Sequence, residues 1–494
     1  MTQDFETRPV SRRTFAKVAA GVAVVGFHGG LGTWATAVAG GGGGDAGRRG
    51  GPTSPFARLP RLDGSLELDA ASCAAAGQDF GQIIFEQPAA VLRPGSARDI
   101  STMLRFARRH GIRVVGRGAG HTVFGQSQHP AAISFDLTSL AAIGPIRGDR
   151  VTVQAGCRWN VLLPATLAEG LMPPVLPDYI GQTVGGTLSV GGIGAMSFRN
   201  GAQVDHVLEL LAVTGDGRRV HCSMDRNREL FEMLLAGQGQ VGVIVEATLR
   251  LVPAPTTVRL YDLVYPDLSH LLADITTLME DERFDQMESF VIPTGGGAWF
   301  YLLEVIAFHG EGGPPDDATL LEGLAHDPER SASDDLDLLA WSSRVPTNLP
   351  SRPNPWCDLL VPMSGAETFL AEVQATIAPT VDGDAFQLLL IPLRSSRFTR
   401  PLFRTADEEL MIGFDPLRSL PPGSDTEPVL AYNRGLYDRC KQLGGSQYPI
   451  SAIRLDAQDW AVHYGEQWPR LLEAKRRFDA NNTLASGPDV LGLR

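Results

Sequence analysis

Two glycine-rich segments, which begin sixty residues apart, carry the side chains best suited to bind and act on a cofactor. The first is GRGAGHTVFGQ (residues 116–126), which contains His121. The second is LPDYIGQTVGGTLSVGGIG (residues 176–194), which has Asp178 near its start. Because glycine has no Cβ, its main-chain N–H groups can approach an anion closely and form a concave nest. The pair of segments therefore predicts a binding site for a diphosphate.

Neither segment fits the common nucleotide motifs. Gly116, Gly118 and Gly120 alternate as in a dinucleotide fingerprint, but His-Thr-Val follows them in place of the spacing and helix that a Rossmann site requires. The chain also lacks the G-x-x-x-x-G-K-[ST] string of the phosphate-loop NTPases and an HExxH zinc pair. On motif grounds, the protein belongs to neither nucleotide-binding class, and a metalloenzyme is disfavoured.

Composition sets the number of domains and excludes some partners. The 494 residues have a mean hydropathy of −0.03, and single hydrophobic cores stop growing near roughly 250–300 residues, so at least two domains are expected. The net charge of −13 repels phosphate backbones and anionic lipids, so we expect no nucleic-acid partner. The five cysteines are few, widely spaced and odd in number, which predicts buried thiols in place of a disulfide framework.

Alternating helices and strands must position the two glycine segments. Apolar residues at helical spacing predict a helix over 96–110 that ends at Gly111, and a β-branched run at 112–115 leads directly into the first segment. Further strands are predicted at 132–137, 151–155 and 245–252, with a helix at 160–169 and a hairpin at 208–222. Pro253 and Pro255 mark a domain boundary, after which the composition changes.

The N-terminus resembles a twin-arginine export signal. Arg12 and Arg13 lie in the string SRRTFAK, and a short apolar run and an A-x-A-like stretch ending at Ala39 follow. The run is too short and too interrupted to span a membrane, so no membrane span is expected. Residues 1–39 are therefore predicted to be a signal peptide, and the glycine- and proline-rich residues 40–60 a flexible lead-in. Export to the periplasm or the extracellular space by the twin-arginine machinery is expected.

The string GHTVFGQ (residues 120–126) resembles the loop of the vanillyl-alcohol-oxidase type of flavoprotein, in which the histidine is bonded to the flavin. Within that superfamily the chain is similar to the cytokinin dehydrogenases. The similarity rests on DYIGQTVGGTLS (178–189), on VLEL (207–210) with VTG (213–215), and on GQGQVGVI (237–244) before PAP (253–255). It covers most of residues 90–255, weakens between 256 and 445, and returns at 460–481.

The resemblance implies an α+β fold. Residues 61–253 would form a PCMH-type FAD-binding domain of two α/β subdomains. Residues 254–445 would form an inserted α+β substrate-binding cap built on an antiparallel sheet. Residues 446–494 would return to the FAD-binding domain.

The resemblance also implies FAD, attached covalently through His121. Since the second segment has no cysteine where related enzymes with doubly attached flavin have one, a single attachment is expected. The other cofactor-binding residues that the family pattern implies are Gly116, Arg117, Gly118, Ala119, Gly120, Thr122, Gln126, Asp178, Thr183, Gly186, Ser189, Ile193, Ile244 and Tyr448.

Two carboxylates are implied to act on the substrate. Asp178 stands where the family's catalytic aspartate stands, and Glu288 lies at a position similar to the glutamate that contacts the adenine ring of the substrate. The implied reaction is oxidation of an N6-substituted adenine or a related secondary amine by hydride transfer to the flavin, with oxygen or a quinone as the electron acceptor.

Other interpretations remain open from the sequence. Asp178 could be a turn residue after Pro177, and Glu288 could be a solvated strand carboxylate. The cap could instead accept a sugar, polyol or other alcohol, or the protein could bind a ligand without turning it over. The segment Ala485-Ser486-Gly487-Pro488 also departs from the family's Ser-Pro-Gly-Gln.

Overall fold

The computed structural model describes residues 59–310, 313–345, 352–377, 385–485, 487 and 489–493, with the short stretches 25–28, 33–36 and 55–57. The first described residues form an antiparallel hairpin of strands β1 (Val25–His28) and β2 (Thr33–Thr36). The rest of the predicted signal peptide, with its arginine pair, and most of the predicted lead-in lie outside the described residues. Where the chain is described, no helix is both long and apolar enough to cross a membrane.

A four-stranded sheet supports the first glycine segment. Its strands are β3 (Ser65–Glu67), β4 (Ala90–Arg93), β5 (Val114–Arg117) and β6 (Ile133–Asp136), in the order β3-β4-β6-β5. Strands β4 and β5 pair parallel with β6, and β3 pairs antiparallel with β4. Helix α1 (Ala70–Ala76) lies between β3 and β4 in the chain, and helix α2 (Ala97–His110) between β4 and β5.

The ends of α2 explain where the first glycine segment begins. Ser96 caps the helix by accepting a hydrogen bond from the Asp99 N–H, and Gly111 ends it in the left-handed conformation with φ 64°. The helix buries Ile100, Met103 and Leu104 against the sheet. After a short turn the chain forms β5, which ends at Arg117. Gly118 and Gly120 therefore lie just beyond the end of a strand.

A second, antiparallel sheet is formed by later strands of residues 61–253. Its strands are β7 (Arg150–Gln154), β9 (Val207–Thr214), β10 (Arg219–Ser223) and β11 (Gly242–Arg250), in the order β10-β9-β11-β7. Strands β8 (Leu171–Met172) and β12 (Val252–Pro253) form a separate pair. The helices of this part of the chain are α3 (Trp159–Leu167), α4 (Val184–Val190), α5 (Ser197–Asn200) and α6 (Arg228–Leu234).

Helix α4 lies within the second glycine segment, where the sequence patterns predicted no helix. Despite Gly185 and Gly186, two turns of helix form, because the glycines allow close packing: a Cβ on Gly185 would collide with the Ala155 side chain. Val184 and Leu188 are fully buried and anchor the helix in the core of the second sheet. Tertiary packing therefore overrides the low helix propensity of glycine.

The cap is built on one antiparallel sheet of eight strands. They are β13 (Thr257–Tyr265), β14 (Gln286–Gly295), β15 (Ala298–His309), β16 (Ala332–Asp337), β17 (Leu359–Pro362), β18 (Ala385–Arg394), β19 (Leu410–Ser419) and β20 (Ser446–Gln447). Their order is β16-β13-β15-β14-β18-β19-β17-β20. The helices of the cap are α7 (Leu268–Asp281), α8 (Asp317–Leu320), α9 (Leu338–Ser342), α10 (Met363–Thr376) and α11 (Glu427–Gln442).

The C-terminal segment returns to residues 61–253 through α12 (Ala457–Tyr464) and α13 (Trp468–Phe478). A buried lysine fixes this return. Lys475 Nζ donates to Asp479 Oδ2 at 2.7 Å, to the Gln240 carbonyl at 2.9 Å and to the Leu484 carbonyl at 2.8 Å. Leu484 in turn forms a parallel bridge with Val114, so the chain end lies beside the first glycine segment.

The α+β fold with two subdomains and an antiparallel cap is confirmed. The change of sheet between β12 and β13 falls beside the predicted boundary, and β20 shows that residues 446–447 still pair with the cap sheet. All five cysteines lie in the described residues, where they are free and buried, as their spacing predicted.

Candidate active site

One cavity of about 440 Å³ lies where the first two large sheets meet the cap. Such a volume is in the range of small-molecule and cofactor sites. Every cofactor-binding or catalytic residue predicted from the sequence lines it: Gly116, Arg117, Gly118, Ala119, Gly120, His121, Thr122, Gln126, Asp178, Thr183, Gly186, Ser189, Ile193, Ile244, Glu288 and Tyr448. The structure thus brings together residues spread over more than three hundred positions of the chain.

The histidine loop is held in place by a buried aspartate. Asp79 Oδ2 accepts hydrogen bonds from Thr122 Oγ1 at 2.8 Å and from the Gly125 N–H at 2.7 Å. The next residue, Phe80, donates its N–H to the Gly120 carbonyl at 2.9 Å. These bonds fix the main chain on both sides of His121, and they come from a segment that carries no motif in the sequence.

The His121 ring lies between two aromatic rings. Phe80 stacks on it at 4.3 Å between ring centroids and Tyr179 at 4.4 Å. Burial lowers the pKa of His121 to about 4, so the imidazole is neutral at physiological pH. Its Nε2 atom is buried and has no hydrogen-bond partner in the described part of the chain. A neutral imidazole with an unpaired nitrogen at a cofactor cavity is suited to bond an electrophilic carbon.

The glycines of the first segment form a cradle without side chains. A Cβ on Gly118 would collide with Thr183 Oγ1, and Gly120 has φ 72°, a conformation that favours glycine. Around Gly116 the space that a Cβ would enter is open for 4 Å. Thr183 Oγ1 is itself buried and lacks a hydrogen-bond partner among the described residues. The cradle therefore fits the diphosphate of FAD, with a hydroxyl ready to donate to it.

The second glycine segment meets Tyr448 on the cap side. The N–H of Gly192 donates to Tyr448 Oη at 2.8 Å, and Gly192 itself has φ 76°. Burial raises the pKa of Tyr448 well above its usual range, so this phenol stays protonated. Tyr448 therefore shapes the cavity as a neutral side chain, and it is not suited to act as a base.

Two predicted carboxylates meet at the substrate end of the cavity. Glu288, on β14, is 1 % exposed and forms an ion pair with Arg344, while Asp178 remains accessible from the cavity. Burial raises the pKa of Asp178 to about 7, and the neighbouring Glu288 adds to this rise while Arg344 opposes it. Burial also raises the pKa of Glu288 to about 7, against the effect of Arg344. A carboxylate with a pKa near neutrality is suited to general-base catalysis.

Arg344 and Glu304 belong to this cluster, although no sequence motif indicated either residue. Glu304 pairs directly across from Glu288 on the neighbouring strand, and burial raises its pKa. The Arg344 guanidinium packs over the Trp341 ring at 3.8 Å from its centroid. Burial by itself would lower the pKa of Arg344. The charges of Glu288, Asp178 and Glu304 have the larger effect and raise this pKa. One cation therefore faces three carboxyl groups, of which that of Glu288 is fully buried.

The alternative that Glu288 is a solvated strand carboxylate is wrong. Strand β14 lies in the interior of an eight-stranded sheet, and the Glu288 side chain lines the cavity. An apolar wall beside it is formed by Phe290, Leu389 and Ile391 of the cap and by Trp356. The divergent C-terminal segment also reaches the cavity through Ala485, beside Leu484. A planar apolar substrate would fit between this wall and the carboxyl cluster.

Two family models match the chain. Residues 88–223 match the FAD binding domain, and residues 344–491 match the model described as cytokinin dehydrogenase 1, FAD and cytokinin binding. The two matches include the histidine loop and most of the cavity-lining residues of the cap outside β14.

Relatives that match over most of the chain are also oxidoreductases by name. An uncharacterized oxidoreductase in the fasciation locus of Rhodococcoides fascians is 33% identical over 86% of this chain and 99% of its own length. Cytokinin dehydrogenase 4 of Oryza sativa subsp. japonica is 32% identical over 87% of this chain and 90% of its own length. Among solved structures, 6-hydroxy-D-nicotine oxidase from Arthrobacter nicotinovorans aligns with a TM-score of 0.70 at 21% identity, over 86% of this chain and 96% of that chain, and so shares the fold.

Proposed function

The chain belongs to the cytokinin dehydrogenase family of FAD-dependent oxidoreductases, and we propose from this premise that it oxidises an N6-substituted adenine or a closely related secondary amine. The observation that carries the proposal is the pairing of Asp178 and Glu288 with Arg344 in the cavity that holds the glycine cradle. This arrangement offers a base for an N–H proton and polar partners for a heteroaromatic ring, with an apolar wall for the ring faces.

The residues that would hold FAD follow from the cavity. The main chain at 116–120 and Thr183 would bind the diphosphate, and Ser189, Ile193, Ile244 and Tyr448 would line the remainder of the cofactor. When bound, FAD supplies the acceptor for the hydride that leaves the substrate carbon.

Asp178 would accept the proton from the substrate N–H group. For this it must be ionised, and a pKa of about 7 leaves about half of the groups ionised at pH 7. Loss of a hydride from the C–H and a proton from the N–H gives an imine, which water hydrolyses to a primary amine and an aldehyde. Glu288 and Arg344 would orient the ring, because the ion pair fixes both side chains at the cavity wall.

The alcohol alternative needs a base that can take a hydroxyl proton. The phenols of Tyr448 and Tyr179 line the cavity, but burial raises the pKa of both. Since a tyrosine base requires a lowered pKa, the cavity favours amine oxidation over alcohol oxidation.

The test is product formation from N6-isopentenyladenine, with dichlorophenol-indophenol or a quinone as electron acceptor. We expect adenine and 3-methyl-2-butenal in equal amounts. Absence of the aldehyde at saturating substrate, with a sugar or polyol reducing the flavin instead, would overturn the substrate class. The same assay run with oxygen alone distinguishes an oxidase from a dehydrogenase.

Covalent attachment of FAD through His121 is part of the proposal. It is supported by the neutral imidazole, its unpaired buried Nε2 and the aromatic rings on both faces. A tethered flavin would not dissociate after export. Precipitation in acid should leave the flavin colour with the protein, and colour released to the supernatant would refute the bond.

Export by the twin-arginine pathway, to the periplasm or the extracellular space, is proposed from the N-terminal string SRRTFAK. This pathway carries folded proteins, which suits an enzyme that must receive its cofactor in the cytoplasm. The mature protein should start at Gly40. Replacing Arg12 and Arg13 by lysines should retain the enzyme in the cytoplasm, and unchanged export would contradict the proposal.

A further inference from the structure

A row of three carboxyl groups crosses the cap sheet from the cavity towards its edge. Glu288 of β14 lies directly opposite Glu304 of β15, and Glu304 lies directly opposite Asp262 of β13. Residues paired in this way point to the same face of a sheet, with Cβ atoms about 4.5–5.5 Å apart. The next residue across the sheet is Ala332 on the edge strand β16. The three side chains, here called the carboxyl row, therefore join the cavity to the edge of the sheet.

The cavity end of the carboxyl row contacts the proposed base. Asp178 and Glu288 share a side-chain hydrogen bond, and Glu288 shares another with Glu304. A hydrogen bond between two carboxyl groups requires a proton on one of them, because ionised carboxylates only accept. Arg344 pairs with Glu288 Oε1, so the Oε2 atom is left for this contact. The three acids therefore hold protons in common.

Each member of the carboxyl row keeps one oxygen available for such a proton. In the described part of the chain, no N–H or hydroxyl group donates to Glu288 Oε2, Glu304 Oε2 or Asp262 Oδ1, although all three atoms are buried. A buried acceptor without a donor is costly, and a proton shared with the neighbouring carboxyl group removes that cost. Burial raises the pKa of all three groups, to about 7 for Glu288, so they can gain and lose protons near neutral pH.

The far end of the carboxyl row reaches solvent. Glu288 is buried, whereas Glu304 and Asp262 are half-buried. Beyond Asp262, residues 332–335 of β16 are exposed. The Asp262 charge acts on Glu304 and raises its pKa, which shows that the last two members are electrostatically linked. Exposure therefore increases from the cavity wall to the edge of the sheet.

We propose that Glu304 and Asp262 carry the proton of each turnover from the active site to solvent. In the oxidation, the substrate C–H bond breaks and its electron pair leaves with the hydride to FAD, while the N–H proton passes to the Asp178 carboxylate. Asp178 then gives a proton to Glu288, Glu288 gives one to Glu304, and Asp262 releases one to water. Each carboxyl group ends as it began, and one proton leaves per substrate oxidised. The inference rests on the proposed amine function, since that reaction supplies the proton.

A purely electrostatic role would give a different result. The Glu304 charge raises the pKa of Glu288, so Glu304→Gln would shift the pH profile even if no proton passed through it. Asp262 does not line the cavity, and the main contributions to the pKa shifts of Asp178 and Glu288 come from other groups. Asp262→Asn therefore removes a proton carrier and leaves the acids of the cavity in place. The time at which the proton reaches solvent is the decisive quantity.

The experiment compares proton release with flavin bleaching. FAD-loaded enzyme is mixed anaerobically with N6-isopentenyladenine in weak buffer at pH 8, with a pH-indicator dye, because Asp178 with a pKa of about 7 is then mostly ionised. In the wild type the dye and flavin signals should change together. In Asp262→Asn the flavin should bleach within about 2-fold of the wild-type rate, but the proton should appear at least ~10-fold later. Glu304→Gln should show the same delay relative to its own bleaching.

Two further observations separate a relay from damage to the fold. Asp262→Glu should keep the signals coincident, because it retains an ionisable carboxyl group. Low concentrations of imidazole, a small proton carrier, should shorten the delay in Asp262→Asn and Glu304→Gln. Thermal melts and flavin content verify that each variant is folded and loaded.

Asp274→Asn is the matched control, because Asp274 is a buried cap carboxyl that bonds to Tyr265 Oη, outside the cavity and on the opposite face of β13. Its two signals should coincide. Coincident signals in Asp262→Asn, or a delay that imidazole does not shorten, would overturn the relay and leave the amine function standing. Wild-type bleaching without simultaneous proton release would also overturn it. Failure of the wild type to bleach would overturn the amine function together with the relay.

Discussion

Arg344 sets the protonation of the carboxyl cluster, and its removal should shift the pH dependence of the reaction. In Arg344→Gln the fixed cation beside Glu288 is lost, while the shorter amide keeps some capacity for hydrogen bonding. The charge of Arg344 opposes the rise in the pKa of both Asp178 and Glu288. Without it, we expect both pKa values to increase, because Arg344 is the cation that opposes the rise in each.

The size of the shift follows from the usual effect of a neighbouring opposite charge on a carboxyl group. An opposite charge within about 4–6 Å changes a carboxyl pKa by 1–3 units, so a rise of roughly 1.5 units for Asp178 is reasonable. From a pKa of about 7 the value would move to roughly 8.5. At pH 7 the ionised fraction would fall from one half to roughly 3 %, because a base is active only when deprotonated. We therefore expect kcat/KM at pH 7 to fall about 15-fold and to recover above pH 9.

The assay is kcat/KM for N6-isopentenyladenine from pH 5.5 to 10, with the apparent pKa of the rising limb as the readout. It reports the carboxyl cluster, since interacting groups titrate together. Arg344→Lys is the matched control. Because it keeps the positive charge, the apparent pKa of its rising limb should equal that of the wild type. Thermal melts verify folding. A loss of activity in Arg344→Gln that is equal at every pH would refute the electrostatic argument and assign Arg344 to substrate binding alone.

Three other substitutions test the cofactor site and its support. His121→Ala should yield protein whose flavin is released in acid, since the nitrogen that would form the bond is absent; retained colour would contradict the assignment. Gly118→Ala should lower the flavin content of the purified protein, measured from its visible absorbance, because the added Cβ would collide with Thr183 Oγ1. Lys475→Met should lower the free energy of unfolding by ~3–5 kcal/mol in urea titration, because it leaves the buried Asp479 charge unpaired; a change below 1 kcal/mol would show that the ion pair is not needed.

The cofactor half could be predicted from the sequence because its signals are local. Glycine spacing in the first segment, the Ser96 and Gly111 caps of α2 and the hairpin turn at Gly217 each depend on a few neighbouring residues. The structure places these features where the patterns indicated, within a few residues. The exception is α4, where burial of Val184 and Leu188 stabilises a helix that local propensity disfavours.

The cap side of the site could be predicted only in part, because its contacts are nonlocal. Arg344 meets Glu288 across 56 positions, and Asp262 meets Glu304 through the pairing of β13 with β15. No sequence motif marks an arginine or an aspartate at these positions. The alternation of apolar and polar residues along each strand also does not determine how the eight strands pair. Asp79, which holds the histidine loop from 46 positions away, was missed for the same reason.

The central claim, that Asp178 is the base for amine oxidation in this cavity, is tested most directly by anaerobic flavin reduction. Wild-type enzyme and Asp178→Asn, both with flavin attached, are mixed with N6-isopentenyladenine, and the loss of flavin absorbance is followed. The account predicts rapid bleaching of the wild type and a rate at least ~100-fold lower in the variant, since general-base catalysis contributes 10²–10⁴-fold. Equal bleaching rates in the two proteins would contradict it.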